Sequence, residues 1–393
     1  MTNRIIAYDI AELEKMKVLS EAKVLYKSKV LTEEQWNGIR EKYASKLYSP
    51  SVFMKVVLFI FSLIGMTTVI GPIAALFGDM GKSGYQILAF ILGILILFFT
   101  ERVLIKQKSH FNSGITEAGI FGGLSFIAFG LLSLDPPGLF ISLIVGLILT
   151  LFAAIRYLNL FALILAVGFF CGIIFRVIAD IGGIVEALMP FIFMTIFGIL
   201  YWYAKKLQAK LPNVIFENQF ILIKTLALTL FYISGNYFVV RKLSVQLMGL
   251  NLSPHDDIPF AFVFYILTAL VPIGYLFWGI KQKSILLIRV GLLAIALSAF
   301  TFRYYFSLGH PVLLITISGV VLIIIALVFF NYLKQIRYGF TRELLLHEKW
   351  GSQNLTAIIA SQTLGGNKII GTTGDDAMFN GGRFGGAGAG GNW

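Results

Sequence analysis

"VFMKVVLFIFSLIGMTTVIGPIAALF", Val52 to Phe77, decides the class of this protein. Only Lys55 interrupts its apolar and small residues. About 20 such residues suffice to cross a ~30 Å hydrocarbon core as a helix. A helix is the favoured solution there because it satisfies every backbone polar group internally. Nine more runs of this kind follow, so the reading of the first carries to most of the chain. They extend from Tyr85 to Leu104, Ile115 to Leu134, Gly138 to Ile155, Leu158 to Val177 and Leu188 to Ala204. The last four cover Gln219 to Val240, Phe260 to Ile280, Ile285 to Tyr305 and Val312 to Leu333. The whole composition agrees: 58% of residues are hydrophobic and 13% charged, against roughly half and a quarter in soluble domains.

The fold class expected from this is all-α, a polytopic transmembrane helical bundle of about ten spans over 52–338. A small cytoplasmic helical hairpin over 1–51 precedes it, and a cytoplasmic tail over 339–393 ends in a Gly-rich segment. The net charge of +12 would suggest nucleic acid in a soluble protein. Here the basic residues flank apolar runs, so they report topology instead, and no nucleic-acid partner is expected. With the amino terminus inside, the inner loops carry Arg102, Lys106, Lys108, Arg156, Lys205, Lys206, Lys210, Lys281 and Lys283. The outer ones carry Lys82, Arg241 and Lys242, with Arg176 and Arg303 near their edges. This bias puts both termini in the cytoplasm.

The head has its own helix signals. Asp9 stands as an N-cap before "IAELEKMKVLSEAKVLYKSK", and Thr32 with Gln35 has the spacing of a capping box. Trp36, Ile39 and Tyr43 then share one helical face. Two short helices bury little core, so the head is expected to dock on a second copy, the cytoplasmic loops, the tail or a partner.

"VLYKSKVLTEEQWNGIREKY" leading into "VVLFIFSLIGMTTVIG" resembles the bacterial membrane proteins grouped as domain of unknown function 2157. The closing "GGRFGGAGAGGNW" is similar to the Trp-terminated glycine-rich ends of TPM-domain membrane proteins. The resemblance implies a bacterial inner-membrane location and brings no reaction and no catalytic residues.

Charge inside a span costs roughly 2.5–3.5 kcal/mol at the helix centre, so each such residue asks for a role. Lys224 either snorkels to the inner surface or faces a partner inside the bundle. Arg176 and Asp180 have intrahelical pairing distance, and Glu186 and Arg303 fall on the same predicted outer side. Glu117, at the inner start of the third span, reads as an interfacial residue or a mark of an ion path. His255, Asp256 and Asp257 in "SPHDDIP" form a solvated turn rather than a metal site, because no second histidine stands at ligand spacing. The single cysteine, Cys171, allows no disulfide and reads as a packing residue. "GGLSF", Gly122 to Phe126, lacks a protease serine context, and its glycines suit close helix packing. The sequence contains no P-loop, HExxH or GxSxG, and it calls for no catalytic residue, no metal and no cofactor.

Two functions compete on these grounds. The first is an interaction or assembly protein that sits in the lipid bilayer and recruits a protein partner or a second copy through its head and tail, with Phe384 and Trp393 as the tail's aromatic anchors in a groove or on a sheet edge of that partner. The second is a secondary transporter of a small solute or ion, built on Lys224 and the Arg176, Asp180, Glu186 and Arg303 group near an eighth helix kinked at Pro272. A membrane-embedded enzyme is a distant third.

Overall fold

The computed structural model describes residues 5–28, 30–78, 81–132, 138–210, 214–247 and 257–305, with Leu327 and Asn331. These fall into two compact units: residues 8–47 form one, and residues 5–7 with the described chain from Tyr48 onward form the other. Among the described residues all regular structure is helical, apart from one isolated bridge between Tyr48 and His110.

In the small unit, α1 (Ile10–Lys27) starts where the Asp9 carboxylate accepts from the Ala11 N–H at 3.0 Å. The start of α2 (Glu33–Lys42) is a full capping box: the Gln35 N–H donates to Thr32 Oγ1 at 3.2 Å and the Thr32 N–H to Gln35 Oε1 at 3.0 Å. Both caps are where the sequence placed them. The helices close on Ala22, Leu25, Leu31 and Ile39, and Trp36 stacks on Tyr26 with ring centroids 5.7 Å apart. Trp36, Ile39 and Tyr43 therefore do share the packed face. Glu12 ties the chain after α2 back to α1, bonding Lys15 Nζ and the Lys46 N–H, each at 2.7 Å. The Lys15 bond, then the Lys46 N–H, holds its carboxyl below the usual range.

The large unit is a bundle. It runs through α3 (Val52–Leu76), α4 (Gly81–Phe99), α5 (Ile115–Leu132), α6 (Leu139–Arg156), α7 (Leu160–Ile181) and the single turn α8 (Gly183–Ala187). Then come α9 (Met189–Lys210), α10 (Glu217–Gly235), α11 (Tyr237–Leu247), α12 (Ala261–Lys281) and α13 (Ile285–Tyr305). Among the described residues seven helices are long and apolar enough to cross a membrane, or eight if α10 and α11, bent by 73°, count as one broken span. The helix α9 occupies the expected sixth span but is not among them, because its last two turns carry Lys205, Lys206 and Lys210. The expected tenth span, Val312 to Leu333, lies almost wholly outside the described residues.

Lipid-facing surface is written on α3, which has no buried residue and leaves Phe61 and Leu76 68% and 84% exposed. Apolar surface of that extent is stable only against hydrocarbon or another apolar partner. Inside, α4 and α5 approach through small residues. A Cβ on Gly93 would sit 2.7 Å from the Gly123 carbonyl oxygen, and one on Gly130 2.9 Å from that of Gln86. Gly122 lies against Met66 and Gly123 against Leu97, so the "GGLSF" glycines face α3 and α4 at close range, while Ser125 is exposed.

Beyond Phe99 the helix α4 continues as π-helical turns, Thr100–Gln107, closed by the Lys108 N–H on the Val103 carbonyl at 2.9 Å. This widening carries Glu101 to the end of α6, where Arg156 binds it bidentately, Nε at 2.8 Å and Nη2 at 2.6 Å. Lys106 adds a third contact at 3.0 Å. The same Arg156 carbonyl accepts from the Ala7 N–H at 2.9 Å. Glu101 escaped notice in the sequence because it sits beside Arg102 at the edge of an apolar run, where a charge reads as a flank.

Candidate functional site at the break between α10 and α11

The segment expected as the seventh span does not run as one straight helix. At Asn236 the backbone turns extended (φ −82°, ψ 124°), ending α10 one residue before α11 begins. A break inside an apolar bundle exposes backbone groups that have no water to bind, so they must be satisfied by protein. Asn236, fully buried, supplies much of this. Its Oδ1 accepts from the Val239 N–H at 3.3 Å, capping α11, and from Thr301 Oγ1 of α13 at 3.1 Å. Its Nδ2 donates to Tyr232 Oη at 3.0 Å.

A second helix defect answers the first. Pro272 lies inside α12 and has no N–H for the carbonyl of Thr268, four residues earlier. Tyr232 Oη reaches that carbonyl at 3.4 Å, and Thr268 Oγ1 in turn accepts from the Tyr237 N–H, the first of α11, at 2.9 Å. Each broken helix thus supplies what the other lacks. Around them Tyr237 Oη donates to Asp257 Oδ1 at 2.6 Å and accepts from Arg241 Nη1 at 2.9 Å. Tyr265 reaches the same carboxylate at 3.3 Å. Arg241 stacks over Tyr305 at 5.2 Å and Lys242 over Tyr304 at 5.4 Å.

Against the other side of α11 lies a cavity of about 460 Å³. Val239, Val240, Leu243 and Ser244 of α11 form one wall; Phe175, Phe193, Phe197 and Phe264 supply aromatic faces from α7, α9 and α12. Arg241 and Lys242 are not in the wall. The volume falls within the ~300–1,000 Å³ of sites that hold small organic ligands. Glu186 is the one charged residue among the described residues of the lining. It is put there by Gly182 and Gly183, whose positive φ values of 67° and 61° turn the chain sharply from α7 into α8.

The residues expected to act together are only partly brought together. Arg176 and Asp180 form an intrahelical pair at 2.8 Å with both side chains about half exposed, 47% and 54%. Among the described residues neither Glu186 nor Arg303 joins them in an ion pair. Lys224 is half-buried on α10, about two turns from its start. Glu117 caps α5: its carboxylate accepts from the Gly114 N–H at 2.6 Å and from Thr116 Oγ1 at 2.9 Å. Asp257 anchors tyrosines, while His255 and Asp256 lie outside the described residues, as do Phe384 and Trp393. Sequence reasoning missed Asn236, Thr268 and Thr301. The signal available was Gly235–Asn236, a breaker pair inside an apolar run, read together with Pro272. Comparison with known proteins gives no match to any family model, curated protein or solved structure.

Proposed function

We propose that this protein is a membrane-embedded carrier that binds a small apolar or amphipathic molecule in the cavity beside the α10–α11 break. The observation that carries the reading is the pairing of a 73° helix break with that 460 Å³ cavity. Broken helices at the heart of a bundle are retained in transport folds because irregular backbone there lines a binding site and gives a hinge. Recruitment of a partner is the weaker reading. The head closes its apolar face on itself, and Phe384 and Trp393 lie outside the described residues.

The cellular setting proposed is a bacterial inner membrane with both termini in the cytoplasm, on the weight of loop Lys and Arg residues. Contacts between loops suit this arrangement. Lys205 Nζ reaches Gln282 at 2.9 Å and Glu101 reaches Arg156, each pair joining segments assigned to one side.

The binding test uses the protein in lipid nanodiscs and N-phenyl-1-naphthylamine, a neutral dye that brightens in apolar surroundings. Saturable fluorescence above that of empty nanodiscs is expected, and Ala187→Trp, which fills the cavity from α8, should abolish it while the thermal midpoint holds. Dye binding unaffected by Ala187→Trp would refute the cavity as the site.

A further inference from the structure

The cavity wall is more selective than its apolar character suggests. Of its described residues, four phenylalanines present aromatic rings and Glu186 alone presents charge. The other polar side chains are small. Ser234 is committed to the Leu230 carbonyl at 2.7 Å, which leaves its hydroxyl proton unavailable to a ligand acceptor. Ser244 and Cys171 complete the set. The basic groups of α7 and α11, two of the helices that line it, are engaged with other partners: Arg176 with Asp180, Arg241 with Tyr237 and Tyr305, and Lys242 over Tyr304. Among the described residues Glu186 has no ion-pair partner of its own.

A carboxylate on the wall of an apolar cavity raises the potential energy of an anion there and lowers that of a cation. Aromatic faces add to the same preference, because the ring quadrupole attracts positive charge, more strongly when water is excluded. The shape excludes small hydrated ions, whose shells the apolar wall cannot replace. It suits a bulky cation whose charge is spread or shielded by carbon.

We infer that the cavity selects lipophilic organic cations, such as quaternary ammonium or phosphonium compounds, with Glu186 as the countercharge and the phenylalanines as the aromatic lining. This rests on the cavity being the binding site proposed above. Glu186 binds and orients the cation here and does no chemistry.

Two probes of the same shape and opposite charge separate the claims. Tetraphenylphosphonium and tetraphenylborate are equilibrated with the protein in nanodiscs, and binding to empty nanodiscs is subtracted. Tetraphenylphosphonium should bind saturably, with Ala187→Trp removing the signal. Glu186→Gln should weaken it about tenfold, the equivalent of about 1.4 kcal/mol, and should change N-phenyl-1-naphthylamine binding by a much smaller factor, since the dye carries no charge. Tetraphenylborate should bind the native protein far more weakly, and Glu186→Gln should narrow the gap. Equal net binding of both ions, both blocked by Ala187→Trp, would overturn the charge selectivity while leaving the cavity reading in place. Binding of neither ion nor dye, or binding indifferent to Ala187→Trp, would overturn the cavity reading itself. Since Glu186 makes no ion pair among the described residues, the thermal midpoint of Glu186→Gln should match the native one, which separates lost affinity from lost fold.

Discussion

Asn236→Leu tests the claim that the broken span is a built feature held by its own polar joint. Leucine has asparagine's branched shape with bulkier methyl groups in place of its oxygen and nitrogen and continues a helix well, so no cavity is created and the loss is chiefly of hydrogen bonds, with any overpacking adding to it. Three are removed: to Tyr232 Oη, to Thr301 Oγ1 and to the Val239 N–H. Thr301 and Tyr232 keep second partners, the Leu297 and Thr268 carbonyls at 2.8 and 3.4 Å, so neither hydroxyl is orphaned. Side-chain bonds within membrane bundles average about 0.6 kcal/mol, which puts these two at about 1 kcal/mol together. The Val239 N–H loses its cap, for about 1 kcal/mol more. The expected destabilisation is about 2 kcal/mol, read from reversible unfolding in mixed micelles titrated with sodium dodecyl sulfate. A double-mutant cycle with Thr301→Val should return a coupling of about 0.6 kcal/mol. If Asn236→Leu changes stability by less than about 0.5 kcal/mol, the size typical of surface substitutions, the joint is not what holds the break. A stabilised variant would count against it more strongly, since a straight helix would then be the preferred state.

Three other outcomes are expected. Arg156→Met should destabilise the bundle by about 1–3 kcal/mol, less than for a fully buried pair because Lys106 stays on Glu101 and water reaches both, and Glu101→Leu in addition should restore much of it in the same titration. His110 has its pKa lowered from 6.5, first by burial, and its Nδ1 is buried without a partner. Its contribution is therefore full above about pH 6.5 and lost as pH falls through the lower folded value, so unfolding midpoints between pH 7.5 and 5 should drop less in His110→Gln than in the native protein. Reporter fusions after Lys108, Lys206 and Lys283 should read cytoplasm and a fusion at His255 the outside; a periplasmic signal at Lys206 would break the topology.

The sequence alone determines that the bilayer is the solvent, because a helix that must bury its backbone bonds in hydrocarbon has to be apolar along its length, and that requirement is local. Val52 to Phe77 and Ile285 to Tyr305 could be read for that reason, as could Thr32 with Gln35, whose cap closes within three residues. What a break does is not local. Gly235–Asn236 and Pro272 are 36 residues apart, and each alone reads as a weak spot in a span. Only the packing of α10 against α12 and α13 shows that the Thr268 hydroxyl serves the break, that Tyr232 serves the carbonyl Pro272 leaves open, and that Thr301 fixes Asn236. The same holds for charge. Glu101 and Arg156, 55 residues apart, become one bidentate pair because π-helical turns and the end of α6 meet. Glu186 and Arg303, grouped by predicted side, stay unpaired with each other, since the turn at Gly182 and Gly183 sends Glu186 into the cavity wall. Hydrophobicity is additive along the chain and can be summed from sequence. Hydrogen bonds and ion pairs demand contact within about 3 Å, which tertiary packing alone grants.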